Sequence, residues 1–309
     1  MTPPVVVAGE ALVDLAPTND AALAALPGGG PFNTARALGR LGQATTFLGG
    51  VSRDRLGRAI AAALASDGVA LDSRLRTDSP TSLALAEIDA SGAATYGFYL
   101  SGTSALELTP DLALQMLPQA VGALHVGSLG ILLEPMASAA EALMKSVSGR
   151  APVMLDPNVR PSMIRDLDGF RSRLVRLLGS ADILKVSDAD LETLAPDVPP
   201  LEAARAMLSH GPRLVLLTFG SRGAVAVHAS GSITVTSPEV AVVDTIGAGD
   251  IFSGAWLARW IELGGSLEAE DIILQATDFA CRAASWSCTR PGACPPTRAQ
   301  LAATGAGSP

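Results

Sequence analysis

Residues 244–254 read DTIGAGDIFSG, a run of small residues that leads directly into an acidic residue and an apolar helical stretch. Gly247, Ala248 and Gly249 carry almost no side-chain bulk. Successive backbone N–H groups there can converge on an anion at the start of a helix, where the helix dipole also favours negative charge. Asp250 follows at once. A carboxylate is repelled by a bound phosphate, so the chemistry open to it is to accept the proton of an attacking hydroxyl. The same residue can instead cap the helix, a role that aspartate fills well. The local sequence leaves both readings open.

Chemistry of this kind needs a scaffold, and hydrophobic periodicity supplies one. The pattern predicts strands over 5–8, 45–50, 125–128, 153–155, 183–186 and 214–218. It predicts helices over 33–41, 55–65, 135–147, 170–178 and 201–208, with another beginning near Pro110. This alternation argues for a Rossmann-like α/β fold, a mostly parallel sheet flanked by helices with ligands beyond the carboxyl ends of its strands. Two stretches break the rhythm. Residues 82–89 and 95–100 are alternating or aromatic and are separated by Ala90, Ser91 and Gly92, which reads as a β-hairpin.

Composition narrows the function classes. A net charge of -8 argues against a nucleic-acid surface, which needs clustered positive charge, but leaves room for a local anion site. No uninterrupted apolar run approaches the roughly 18 residues that span a bilayer. The start, MTPPVVVAGEALVDLAP, reads as a first buried strand rather than a signal peptide, so the expected location is cytoplasmic, with no membrane partner. Cys281, Cys288 and Cys294 are odd in number without CxxC spacing, and His125, His210 and His228 are scattered; neither zinc nor a disulfide framework is indicated. There is no GxxxxGK[ST] and no GxGxxG after the first strand, which removes the P-loop and disfavours a nicotinamide dehydrogenase. Typical domain sizes suggest about two domains for 309 residues, yet α/β folds often run this long as one.

DTIGAGD followed by an apolar helix resembles the C-terminal signature of the ribokinase-like (PfkB) sugar kinases. A second stretch, GGGPFN at 28–33 continuing as TARALGRLG, resembles that family's N-terminal motif, a glycine turn opening a helix that carries Asn33 towards the sugar. The resemblance implies ATP as phosphoryl donor with Mg2+, a sugar hydroxyl as acceptor, Asp250 as base and Gly247, Ala248 and Gly249 as anion hole. It also implies a single kinase domain over 1–309 with a discontinuous β-sheet lid formed approximately by 10–33 and 76–104. In relatives such a lid covers the sugar and often pairs with a second subunit, so a homodimer is expected.

Further candidates follow from the same resemblance or from the residue types themselves, several beside a plainer alternative. Asp14, in GEALVDL, would accept hydrogen bonds from sugar hydroxyls, or end a strand as a turn residue. Gly29 and Gly30 would let backbone approach the sugar, or simply turn the chain before the helix. Tyr96 and Phe98 would wall the sugar ring, or pack the lid. Arg160, in DPNVRP, would hold the transferred phosphoryl or an acidic substrate group, or pair with Asp156 or a neighbour. KVSDADLE resembles the family's magnesium-associated NxxE segment with Ser187 for Asn and Asp190 for Glu, which makes a hydrated ion oriented by Asp190 the expectation. In TFGSRG, Thr218 and Gly220 would meet ATP phosphates and Gly223 would let adenine lie close to backbone. SCTRPGACPP, at 287–296, matches a segment that, with backbone oxygens of Asp244 and Thr245, can hold a monovalent cation, K+ in relatives. Together GEALVDL, GGGPFN, DPNVRP and KVSD look most like the fructokinase branch, with fructose the leading acceptor. 2-Keto-3-deoxygluconate, ribose and nucleosides are alternatives, although FYLSGTSA lacks the arginine that several sugar-acid relatives carry nearby. A non-catalytic sugar sensor is the alternative of another class.

Overall fold

The computed structural model describes residues 3–19, 22–88 and 94–305. The turn at 90–92 and the side chain of Tyr96 lie outside the described residues. In chain order the strands are β1 (Val5–Ala8), β2 (Leu12–Asn19), β3 (Ala22–Gly28), β4 (Thr45–Leu48), β5 (Val51–Ser52), β6 (Val69–Leu71), β7 (Arg76–Thr77), β8 (Leu83–Ile88), β9 (Ala94–Tyr99), β10 (Ala123–Gly127), β11 (Val153–Asp156), β12 (Ile183–Ser187), β13 (Leu214–Thr218), β14 (Ala224–His228) and β15 (Gly231–Val235). The α-helices are α1 (Gly30–Arg40), α2 (Arg55–Ser66), α3 (Pro110–Met116), α4 (Met136–Val147), α5 (Leu167–Leu178), α6 (Asp188–Leu194), α7 (Pro200–Leu208), α8 (Ala248–Glu262), α9 (Glu270–Cys288) and α10 (Arg298–Gly305).

A nine-stranded sheet in the order β15-β14-β13-β12-β11-β10-β1-β4-β6 forms the body. It is parallel from β6 to β13 and antiparallel at β14 and β15. β1 is apolar at every position because both faces are covered. Val5 and Val7 enter a core shared with α1, α2, α8 and α9, while Val6 and Ala8 enter a second core shared with α3, α4, α5, α6 and α7. Chain order reverses beside β1, since the sheet grows first through β4 and β6 on one side and then through β10 on the other. The crevice for ligands in such sheets opens at this switch point. A separate four-stranded sheet, β3-β2-β8-β9, carries the expected hairpin as β8 and β9. Among the described residues no helix is long and apolar enough to cross a membrane.

Two hairpins were not legible in the sequence pattern. β3, in ALAALPG, is alanine-rich and mostly exposed, so it shows no apolar alternation. β14 and β15 are short antiparallel strands at the end of the main sheet, where one side of the ladder has no further strand. The first helix also begins earlier than the expected residue 33. Gly29, at φ 109, turns the chain, and Pro31 suits the first helical turn because its missing N–H would have no intrahelical partner there.

α8 is apolar around nearly its whole circumference and lies inside the protein, between α1 and α9. Gly254 lies against α1: a β-carbon there would stand 2.8 Å from Ala37 Cβ and 2.8 Å from the Thr34 carbonyl oxygen. Gly254→Ala gains about 1 kcal/mol of helix propensity and loses about 1–3 kcal/mol to overpacking. Urea denaturation is expected to show a net loss of stability, and an unchanged or raised midpoint would refute the close-contact account.

Candidate active site

α1 and α8 begin side by side at the carboxyl end of the sheet, and the segment after β11 closes the third side. Asn33, in the first turn of α1, donates from Nδ2 to Asp250 Oδ2 at 2.9 Å. Asn158, just beyond β11, donates to Oδ1 at 3.4 Å, and the Thr34 hydroxyl donates to the Asp250 carbonyl at 3.1 Å. Asn158 and Ser128 hold φ of 42° and 55°, a left-handed conformation that costs residues other than glycine of order 1–3 kcal/mol and clusters at functional sites.

The helix-cap reading of Asp250 does not hold. The cap of α8 is Gly247, left-handed at φ 74, and no side chain bonds to it. The Asp250 carboxylate turns instead towards α1. Of the three N–H groups expected to face an anion, that of Ala248 is engaged by the Thr245 carbonyl at 3.2 Å. Those of Gly247 and Gly249, and that of Asp250, bond to no acceptor among the described residues.

Burial decides the electrostatics. It pushes the Asp250 carboxyl up to about 6; the Asn33 bond opposes this, Asp156 adds to it, and Lys185 and Arg160 pull against it. Glu10, which follows β1 at the switch point, is likewise pushed up by burial to about 7. Its two oxygens accept the N–H groups of Gly30 at 3.3 Å and Gly130 at 3.0 Å. Asp14, in β2, is raised by burial to about 6 with Arg160 opposing. A β-carbon at Gly28 would lie 2.0 Å from Asp14 Oδ2, and one at Gly30 would lie 3.2 Å from Asp250 Oδ1. The glycine run is therefore a side-chain-free floor that joins the two carboxylates.

The remaining expected residues divide into those brought to this floor and those that are not. Arg160 is exposed, and its Nη1 donates to the carbonyl of the preceding Val159 at 3.3 Å; Asp156 pairs with Lys185 at 3.2 Å rather than with Arg160. Phe98 is half-buried in a small cluster with Leu12, Ala84 and Leu129. Thr218, Gly220 and Gly223 line a cleft of about 430 Å³ together with Thr245, Ala248 and Gly249, on the other side of the α8 turn. Gly223, at φ 102, is also required by the fold, because a β-carbon there would meet the Val235 carbonyl at 2.0 Å. Ser187 neighbours Thr218 in the sheet but does not line that cleft. Its hydroxyl accepts the Asp190 N–H, and Asp190 returns the bond to the Ser187 N–H at 2.8 Å, a capping box. The other Asp190 oxygen accepts the Val159 N–H at 2.7 Å. Asp244 ties its turn together, accepting from Ile246 N–H and from Gly292 N–H in the C-terminal segment.

Glu10, Asn158 and Lys185 escaped the sequence reading. Each had a faint signal: a carboxylate directly after a buried strand, an asparagine at a strand end where left-handed backbone is tolerated, and a lysine inside the apolar run ILKVS.

Comparison with known proteins gives the family. Residues 3–300 match the model of the pfkB family carbohydrate kinases. A fructokinase from Rhizobium leguminosarum bv. trifolii is 35% identical over 258 residues, covering 81% of this chain and 77% of its own. Fructokinase-1 of Zea mays is 32% identical over 310 residues, covering 95% and 94%. The crystal structure of a fructokinase double mutant from Vibrio cholerae O395, in fructose, ADP and potassium ion bound form, has a TM-score of 0.87 at 27% identity, with 98% of both chains covered. Two separated motifs, a shared sheet topology and near-complete coverage converge: the chain belongs to the pfkB family of carbohydrate kinases, with the ribokinase-like fold, and is an ATP-dependent sugar kinase.

Proposed function

We propose that this enzyme transfers the γ-phosphoryl group of ATP to fructose, with Asp250 as the base. The observation that carries the reading is Asp250 bonded to Asn33 beside N–H groups at the start of α8 that remain open to an anion. The fructokinase relatives, similar across most of the chain, support the acceptor. In this reading the sugar lies on Gly29 and Gly30. Asp14 accepts from hydroxyls at one end, and the reacting hydroxyl meets Asp250 at the other. The Asn33 Oδ1 is buried without a partner among the described residues, which leaves an acceptor for a second hydroxyl. Phe98 walls the ring and Arg160 meets the phosphoryl group in transfer.

The sugar oxygen attacks the γ-phosphorus in line. A new O–P bond forms as the bond to the bridging oxygen breaks and leaves its electron pair on ADP, while the hydroxyl proton passes to Asp250. A carboxylate near 6, rather than the ordinary 3.9, remains far too weak to deprotonate an alcohol in advance, so proton transfer is late. The N–H groups of Gly247 and Gly249, with the α8 dipole, stabilise the charge that develops. Ala248 contributes through the shape of the turn.

The nucleotide occupies the cleft at Thr218, Gly220 and Gly223, with Ser187 behind it. In this reading Mg2+ is carried mainly by the phosphates and water, as this ion commonly is. Both Asp190 oxygens already accept N–H groups, so Asp190 fits a hydrated ion rather than direct ligation. Mg2+ bound there would share the charge of the transferring group. Backbone oxygens of Asp244 and Thr245 are the K+ candidates. We further propose that the segments near 10–33 and 76–104 form the lid and pair two subunits, which exposed Leu23, Leu26 and Tyr99 on the small sheet support. The cytoplasm is the proposed site of action.

Three outcomes follow. Asp250→Asn should keep its fold and lower turnover by about 10²- to 10⁴-fold; near-normal turnover of the pure variant would reject the base. Because the base works only when ionised, kcat/KM should fall as pH drops through about 6; an acid limb near 4 would contradict the buried-carboxylate account. ADP production from Mg-ATP should be greatest with fructose when compared with ribose, 2-keto-3-deoxygluconate and adenosine. A better alternative acceptor would replace the substrate, and sugar binding without turnover would favour a sensor.

A further inference from the structure

Lys185 lies in β12 with 4% of its surface exposed, and its ammonium stands 3.2 Å from Asp156 Oδ2 and 3.3 Å from Oδ1. The Ser253 hydroxyl joins this pair to α8, at 3.0 Å from Asp156 Oδ2 and 3.1 Å from the Gly249 carbonyl. A β-carbon at Gly249 would stand 2.9 Å from Lys185 Nζ. Glycine at 249 therefore has a second reason beyond room for an anion: the ammonium passes directly behind the first turn of α8.

The surrounding charges make the location consequential. Lys185 is faced by Asp156, Asp190 and Asp250, and by His125, which burial holds neutral with its value pushed down to about 3. Asp250 is faced by Asp156, Lys185 and Arg160, and interacts with Glu10. Arg160 is exposed to solvent, whereas Lys185 acts through a dry interior where a fixed charge is weakly screened. A buried ion pair serving the fold alone is commonly no better than an apolar pair of the same shape.

We propose that Lys185 is a positioning residue for phosphoryl transfer: from behind the first turn of α8, its buried ammonium supplies the fixed positive charge against which Asp250 and the 247–249 turn work. This rests on Asp250 being the base. Asp156 orients the ammonium and Ser253 ties that orientation to the turn.

The test compares Lys185→Met, Asp156→Asn and the double variant in the full-length enzyme, with the acceptor that turns over fastest. Removing a positive neighbour should move the acid limb of kcat/KM up by about one pH unit, and removing a negative neighbour should move it down by about as much. The double variant removes both charges together. It should fold even if Lys185→Met does not, keep the limb near its original place and lose about tenfold or more of the plateau rate. Carboxyl ¹³C NMR titration, with the Asp250 resonance assigned by its loss in Asp250→Asn, reads the same shifts without turnover. Limbs that stay fixed or move in the same direction in folded single variants would overturn the proposal, as would a double variant within twofold of the parent. Full turnover by Asp250→Asn would remove the base and this proposal together; a dead Asp250→Asn with unmoved limbs removes this proposal alone.

Discussion

Two helices that begin at one point in space are the constraint on which the site depends. α1 opens at the glycine floor and α8 at the anion turn, and the Asn33 to Asp250 bond fixes one against the other. One turn further along, Gly254 leaves no room for a β-carbon between them, so the geometry at their N-termini goes with close packing there. The C-terminal segment is bound into the same assembly. Arg36 and Arg40 of α1 both grip Asp67 while reaching the carbonyls of Ala293 and Pro295. A shift of α1 would thus disturb Asp250, the glycine floor and the segment beside the Asp244 turn together.

The second organising feature is the concentration of carboxylates in a dry region. Glu10, Asp14, Asp156 and Asp250 are all raised by burial. A carboxyl whose value is higher in the folded than in the unfolded chain favours folding at low pH and loses that contribution as pH rises through the folded value. Each unit corresponds to about 1.4 kcal/mol, so once pH has risen past the folded values the ionised carboxylates oppose the fold. Such a cost persists where a reaction needs acceptors poised for hydroxyl protons. The glycines exclude side chains from the same space, so the charge faces a ligand-sized gap rather than filler.

Much of this was legible in the sequence because it depends on local chemistry. Glycine beside aspartate marked the α8 turn, glycine before proline marked the start of α1, and continuous apolar runs marked the parallel strands. The capping role of Ser187 and Asp190 was masked by the likeness to NxxE, because an acidic residue three positions on suits a helix cap as well as a hydrated ion. Nor could the sequence show that Asp156 chooses Lys185 over Arg160, a choice made by strand register and side-chain direction in β11 and β12. The strands β3, β14 and β15 were missed because short, alanine-rich or sheet-edge segments carry little alternation.

The hydrogen bond from Asn33 to Asp250 closes a loop of 217 residues. A growing polypeptide therefore carries Asp14 and the glycine floor long before it owns Asp250 or the α8 turn. Loop closure of that span is slow relative to local helix formation. Until residues 244–254, about four-fifths of the way along the 309-residue chain, have emerged and docked, the nascent protein lacks both Asp250 and the α8 turn against which Asn33 is fixed.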